Sequence, residues 1–393
     1  MSYVSEVRLA DLCDPARGIT YGIVKVGDFV PGGVPVIRGG DIRDNRIVFD
    51  DSKRVTREVS EQFTRTILRG GEIILNLIAE PGHSAVVPES MTGFNVSRDV
   101  AVVPLASVVN HHYVNWYLKS PEAIDWLSAR MSGTVTQKIN LGVLKEIPIP
   151  TPPRIVQDGI AAVLGVLDDK IAVNERITIT ADELSGAIFH RAMLKSPLQF
   201  AEQALSATAE FINGRAFTKN ATGTGRMVIR IAEINSGPGN STVYNDIDVS
   251  EKHLARPGDV LFAWSGSLMV ARWFRREAII NQHIFKCVPK NGYPQWLVSQ
   301  LVHRKIDEFR AIAADKATTM GHIQRKHLDE PVHVPMPEAL QPLHAEIGPL
   351  WGRALLAEQE SLSLAALRDT LLPQLMSGRL RVKDAEKIVE DNT

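Results

Sequence analysis

The sequence predicts an α+β chain in which two copies of a mixed α/β module alternate with two helices of about forty residues, the helices pairing as an antiparallel coiled coil. Three observations predict it. Two long stretches carry heptad-spaced apolar residues, the stretches before them are short strand-like runs punctuated by Gly, Pro and Asn, and the order of those runs occurs twice.

The central stretch, Pro153 to Lys195, sets Ile160, Leu164, Leu167 and Ile171 at steps of four, three and four. After a polar interruption at Asn174, Ile177, Ala181, Leu184 and Ile188 take up the rhythm again. The closing stretch, Pro337 to Leu380, does the same with Leu343, Ile347, Leu350, Ala354, Ala357, Leu364, Leu371 and Leu375. Each stripe is too narrow to be covered alone, so the economical expectation is that the two bury each other. At ~1.5 Å per residue each helix would be a rod of roughly 60 Å. Asn174 either fixes the register of the seam from a buried position or sits on its surface.

Composition bounds the rest. A chain of 393 residues with 44% hydrophobic and 23% charged residues has core enough for two or three domains. It holds no apolar run of about eighteen residues, and Met1 to Ala10 lack the layout of a signal peptide, so the expectation is a cytoplasmic chain without membrane contact. Cys13 and Cys287 have no neighbours at metal spacing and are expected to be reduced packing residues. A net charge of -1 removes the simplest argument for nucleic-acid binding, leaving local patches: Arg38 to Arg69 early, Lys252 to Arg276 later.

Taken in order, residues 1–152 read as the first module. Strand-like Val34 to Arg38, Ile73 to Ile78, Ala85 to Val87 and Val100 to Leu105 precede one helical piece, His111 to Met131. A polar loop, Ser132 to Lys138, and a proline-rich exit, Ile147 to Pro153, lead into the helix 153–195. Residues 196–336 repeat the module: Val36-Ile-Arg38 matches Val228-Ile-Arg230, Arg69-Gly-Gly-Glu72 matches Arg256-Pro-Gly-Asp259, and the strand from Asn95 is set against the one from Asn281. Ile139, Leu144 and Glu146 match Ile323, Leu328 and Glu330, and the helix 337–380 and a tail, 381–393, follow. Preserved order and spacing make this a tandem duplication. The two copies differ in the stretches that should be loops, as expected of one scaffold presenting two recognition surfaces.

Enzymatic motifs are scarce. No glycine-rich AdoMet loop, no acid- or amide-Pro-Pro-aromatic motif and no P-loop occurs. Asp158, Asp168 and Lys170 imitate the acids and lysine of a Mg²⁺-dependent nuclease, but on a helix beside the seam residue Leu167, where a solvated face is favoured. His322, His327 and His333 lack a zinc framework, and the favoured reading keeps them out of a metal site.

The pattern resembles the specificity subunits of type I restriction-modification enzymes over nearly the whole chain. Its most specific piece is Leu367-Arg-Asp-Thr-Leu-Leu-Pro-Gln-Leu-Met-Ser-Gly-Arg-Leu-Arg-Val382, similar to the usual end of these subunits, with the junctions Leu144-Lys-Glu-Ile-Pro-Ile-Pro150 and Leu328-Asp-Glu-Pro-Val-His-Val334 in support. The resemblance implies a non-catalytic subunit whose two target-recognition domains each read half of a split site in double-stranded DNA, the helices setting the gap. It implies two methyltransferase subunits, which bring S-adenosylmethionine and methylate adenine, and restriction subunits, which bring ATP and Mg²⁺; this chain itself would bind no cofactor. Rods of roughly 60 Å would span about eighteen base pairs, comparable to two half-sites and a gap. A self-sufficient nuclease and a protein-binding coiled-coil scaffold are the other readings.

Residue types that pair with bases give the candidates. In the first domain these are Arg38, Arg43, Arg46, Ser132, Thr134, Thr136, Gln137 and Lys138. In the second they are Arg230, Ser265, Ser267, Arg272, Gln282, His283, Thr318, Thr319, His322, Gln324 and Lys326. Arg38 and Arg230 recur at equivalent places, which argues for positioning, since two different half-sites should not share a reader.

Overall fold

The structure, a computed structural model, describes residues 5–43, 45–133, 137–315 and 322–392. They divide into two compact units, Met1–Asp168 with Ala366–Thr393, and Asp169–Ala365.

In the first unit a four-stranded antiparallel sheet runs Thr20–Tyr21, Val100–Val103, Ile73–Asn76, Ser84–Val86. Its central strands are buried at every position, which is why their sequences are apolar runs, broken only by the buried Asn76, and not alternations. A smaller sheet runs Arg54–Val55, Val34–Ile37, Asn95–Val96, its last pair parallel with Val36 opposite Asn95. Glu6–Arg8 pairs with Pro148–Pro150, a two-stranded ribbon whose open edges tolerate proline.

The second unit repeats this plan. Its large sheet runs Ala209–Asn213, Ile284–Pro289, Val260–Ala263, Met269–Arg272. Its smaller sheet holds Arg226–Ile229 parallel to Ala278–Ile280, and Phe200–Ala204 pairs with Pro331–Pro335. The repeat extends to single bonds. Arg38 N donates to Asp41 Oδ2 at 2.7 Å and Arg230 N to Glu233 Oε2 at 2.9 Å. Arg69 N donates to Glu72 Oε1 at 2.9 Å and Arg256 N to Asp259 Oδ2 at 2.7 Å. The ladders also correct one pairing: Asn95 corresponds to Ile279, and Asn281 corresponds to Ser97, because Ile37 is opposite Val96 and Ile229 opposite Ile280.

The central helix is Arg154–Lys195 and the distal helix Pro337–Met376. Within the second unit Lys170 pairs with Glu360 at 3.0 Å and Arg191 with Glu346 at 3.6 Å, partner numbers falling as the others rise, so the helices run antiparallel. Ile171, Ala181, Leu343, Ile347, Ala354, Ala357 and Leu364 are buried there, and Asn174, only 2% exposed, donates to Glu360 Oε2 at 2.9 Å. In the first unit Ile160, Leu164, Leu167, Leu371 and Leu375 are buried.

Three sequence expectations change. Leu184 is 46% exposed, and Ser185 and Phe189 are buried in its stead. The helix there serves the module's core, Phe189 meeting Phe200 and Trp296 edge-on at 5.8 and 6.2 Å, and so leaves the heptad phase. The piece from His111 to Met131 is two helices, His111–Tyr117 and Pro121–Ser128, broken where Ser120 caps Ala123 N and Pro121 removes a donor. The distal helix stops at Met376, Gly378 follows with φ 70°, and Val382–Glu390 forms a further helix that buries Ala385 and Val389. Cys13 and Cys287 are free and buried, and burial pushes the Cys13 thiol up to about 12.

Candidate nucleic-acid interface

In the second unit three segments meet at one end of the large sheet. Trp264, just past the strand Val260–Ala263, donates its N–H to His283 O at 3.1 Å; its own carbonyl accepts from Ile323 N at 3.2 Å. Ser265 and His322 form an antiparallel bridge. Candidates from separate stretches thus come together: Ser265, buried, with exposed Ser267, Gln282, His283, His322 and Gln324. Lys326 is exposed in the turn Arg325–Asp329 that follows. Trp264 organises this surface, its ring 5.2 Å from that of His283 and 6.3 Å from that of His322, its indole N–H given to Asn213 Oδ1 at 2.9 Å. A cleft of about 340 Å³ opens between Asn213, Trp264, Phe285, His322, Ile323, Gln324 and Arg325. His283 sits at φ 74°, a left-handed conformation few non-glycine residues adopt outside tight or functional places. Gln282 N donates to the carbonyl of exposed Arg215. Burial, then the charges of Arg215 and Lys252, hold the imidazole of His253 below its ordinary value.

The first unit closes the same way with other residues. Leu77 N donates to Asp99 O at 2.7 Å, Ile139 N to Leu77 O at 2.9 Å, and Lys138 bridges both Ile78 and Ser132. Ser132, Gln137 and Lys138 are exposed over this end of the sheet. Gly39 N donates to Asp99 Oδ2 at 2.9 Å and exposed Arg43 donates Nε to Gly40 O at 2.8 Å, which brings Arg43 beside them. Thr134, Thr136, Thr318 and Thr319 lie outside the described residues.

The remaining candidates are placed elsewhere. Arg38 pairs with Asp41 and Asp50, and Arg230 with Glu233 and the Ser241 carbonyl, so both brace the turn they begin. Arg46 donates to the Asp168 carbonyl of the central helix at 3.2 Å. Arg272 is 3% exposed in its side chain, bonded to Asp182 and Glu358 and lying 4.4 Å over the Trp351 ring; its donors fasten the sheet to the helix pair and are unavailable to a base.

The acids of the nuclease reading are similarly committed. Asp158 accepts from Asn110 Nδ2 and Arg154 Nε, each at 2.7 Å, and both hold its carboxyl below the usual range. Asp168 is buried and accepts from Arg368 Nη1 at 2.7 Å and Asn45 Nδ2 at 2.6 Å, while Lys170 pairs with Glu360. His327 is buried, its Nδ1 accepting from Gln324 N at 3.0 Å. Among the described residues no three His, Cys, Asp or Glu are grouped to hold a metal ion.

Sequence reasoning missed Trp264, Asn213, Arg215 and Arg98. Setting Asn95 against Asn281 conceals that Arg98 occupies the place of Gln282; aligning instead on the apolar run after each would have exposed it.

The resemblance read from the sequence is borne out by comparison with known proteins. Residues 1–182 match the type I restriction modification DNA specificity domain. The chain is 26% identical over 149 residues to the type I restriction enzyme EcoBI specificity subunit of Escherichia coli, covering 38% of this chain and 31% of that one. It is 20% identical over 423 aligned positions to the MjaIX specificity subunit of Methanocaldococcus jannaschii, covering 96% of this chain and 93% of that one. The fold is similar to the crystal structure of a type I restriction-modification S subunit from M. genitalium, with a TM-score of 0.57 and 15% identity over 95% of this chain and 97% of the other.

Proposed function

We infer that this chain is the DNA-specificity subunit of a type I restriction-modification complex, and that it reads a bipartite duplex site with one recognition domain per half. The observation that carries the reading is the repeat itself: one backbone frame, bonded alike at single residues, presents unlike side chains at the same end of its sheet in each copy. The domains are 1–152 and 196–336, and the spacers are the stretches 153–195 and 337–380, built on the helices Arg154–Lys195 and Pro337–Met376, with the stretch 381–393 and its short helix following. DNA contacts fall to Arg43, Ser132, Gln137, Lys138, Ser265, Ser267, Gln282, His283, His322, Gln324 and Lys326, and, from outside the described residues, to Thr134, Thr136, Thr318 and Thr319. Arg38 and Arg230 brace the turns they begin, and Arg46 ties its hairpin to the central helix.

The chain performs no bond chemistry. Two methyltransferase subunits dock on the outer faces of the helices around 168–176 and 354–363, bringing S-adenosylmethionine to adenine; restriction subunits bring ATP and Mg²⁺. Val173, Ile179 and Leu356, more than half exposed on helices otherwise paired, are apolar contacts suited to such partners. The near-neutral net charge fits a protein whose partners complete the basic clamp on DNA, in the cytoplasm.

The test is co-expression with a cognate methyltransferase subunit, followed by mapping of methylated adenines. A two-part motif with a fixed gap, lost when this chain is withheld, is expected. Methylation unchanged in its absence refutes the reading.

A further inference from the structure

The two repeats hold one exposed side chain in the same backbone seat and fill it differently. Before Arg98, the N–H of Ser97 donates to Ile37 O at 2.9 Å and Ser97 bridges Ile23 in parallel. The N–H of Arg98 donates to Ile23 O at 2.9 Å, and the carbonyl after it, that of Asp99, accepts from Leu77 N at 2.7 Å. Before Gln282, the N–H of Asn281 donates to Ile229 O at 3.2 Å and Asn281 bridges Arg215 in parallel. The N–H of Gln282 donates to Arg215 O at 2.9 Å, and the carbonyl of His283 accepts from Trp264 N at 3.1 Å. Four backbone links coincide, so the frame sets where each side chain starts and leaves its chemistry free.

Both side chains are exposed, and among the described residues neither makes a side-chain hydrogen bond or ion pair. Each seat adjoins the segments gathered at the sheet end, Lys138 through Ile78 in one unit and His322 through Ser265 in the other. A guanidinium forks onto guanine O6 and N7, and a carboxamide onto adenine N6 and N7.

We propose that Arg98 and Gln282 are paired specificity-determining residues, Arg98 reading a guanine in the first domain's half-site and Gln282 an adenine in the second's. This rests on the reading of the chain as a specificity subunit and names the bases it implies.

The experiment uses the full chain co-expressed with its methyltransferase subunit on a plasmid library randomised across the site, with methylation read by sequencing. The parent motif should contain a guanine in one half and an unmodified adenine in the other. Arg98→Ala should relax that guanine alone by roughly 5- to 150-fold, leaving the gap and the other half unchanged. Arg98→Lys, which keeps the charge but loses the fork, should relax it too, and Gln282→Ala should relax the adenine. A parent thermal midpoint for each variant confirms that the fold is retained. Discrimination unaltered in Arg98→Ala, or methylation weakened evenly over all sequences as for a phosphate contact, overturns the proposal. A parent chain that directs no split methylation refutes the specificity-subunit reading instead, so the two failures are told apart.

Discussion

Arg272 is buried, and burial disfavours its charge, but the hydrogen bonds it donates to Glu358 and Asp182 outweigh that and hold the guanidinium above its ordinary value. Removing one member of such a group strands the other: Arg272→Ala should cost about 3–5 kcal/mol, seen as a lower urea midpoint for the unit Asp169–Ala365. An unchanged midpoint would mean that the Asp182 and Glu358 bonds do not hold sheet to helices. His253 gives a pH signature. Burial first, then Arg215 and Lys252, depress its folded value, so the unfolded chain takes up the proton at higher pH. Its stabilising effect is full above about pH 6.5 and is lost as pH falls below that. Stability measured from pH 7 downward should therefore fall more steeply for the parent than for His253→Gln; parallel curves would count against the depressed value.

Between elements, close approach of backbones leaves no room for a side chain at Gly214. A Cβ there would fall 2.1 Å from the Asn281 carbonyl oxygen, as one at Gly22 would fall 1.9 Å from that of Val96. Gly214→Ala should cost about 1–3 kcal/mol or more by forcing apart the segment that seats Gln282, whereas Gly239→Ala, which meets nothing within 4 Å, should be neutral. Equal unfolding midpoints for both variants would contradict this. At this scale the sequence was most legible where period alone decides. Ile160, Leu164, Leu167, Ile171, Ala354, Ala357, Leu364, Leu371 and Leu375 fall on the heptad and are buried. Leu184 departs from it because Phe189 must fill a module core beside Trp296, a demand from residues more than a hundred positions away that no local period records. The candidate surface was half legible for the same reason. Exposed Gln282, His283 and His322 announce themselves by residue type, while Trp264 reads as core until the bridge of Ser265 to His322 puts it beside them.

For the molecule as a whole, the proposed reading makes distance a carrier of information. Each rod contributes length only while its seam stays in phase, and a heptad is the smallest whole unit that can be removed without rotating the apolar stripe off its partner. Cutting one heptad from each long helix shortens the rods by about 10.5 Å, close to three base pairs at ~3.4 Å each. Half-sites three base pairs closer also turn by roughly 100° about the duplex, so the original gap would then present one half-site to the wrong face. Read on a library containing every gap, the shortened chain should therefore select a gap about three base pairs smaller, with the bases of both halves unchanged. Retention of the parent gap by a folded, shortened chain would show that the helices are not the ruler, while leaving the assignment of each half-site to its own domain intact.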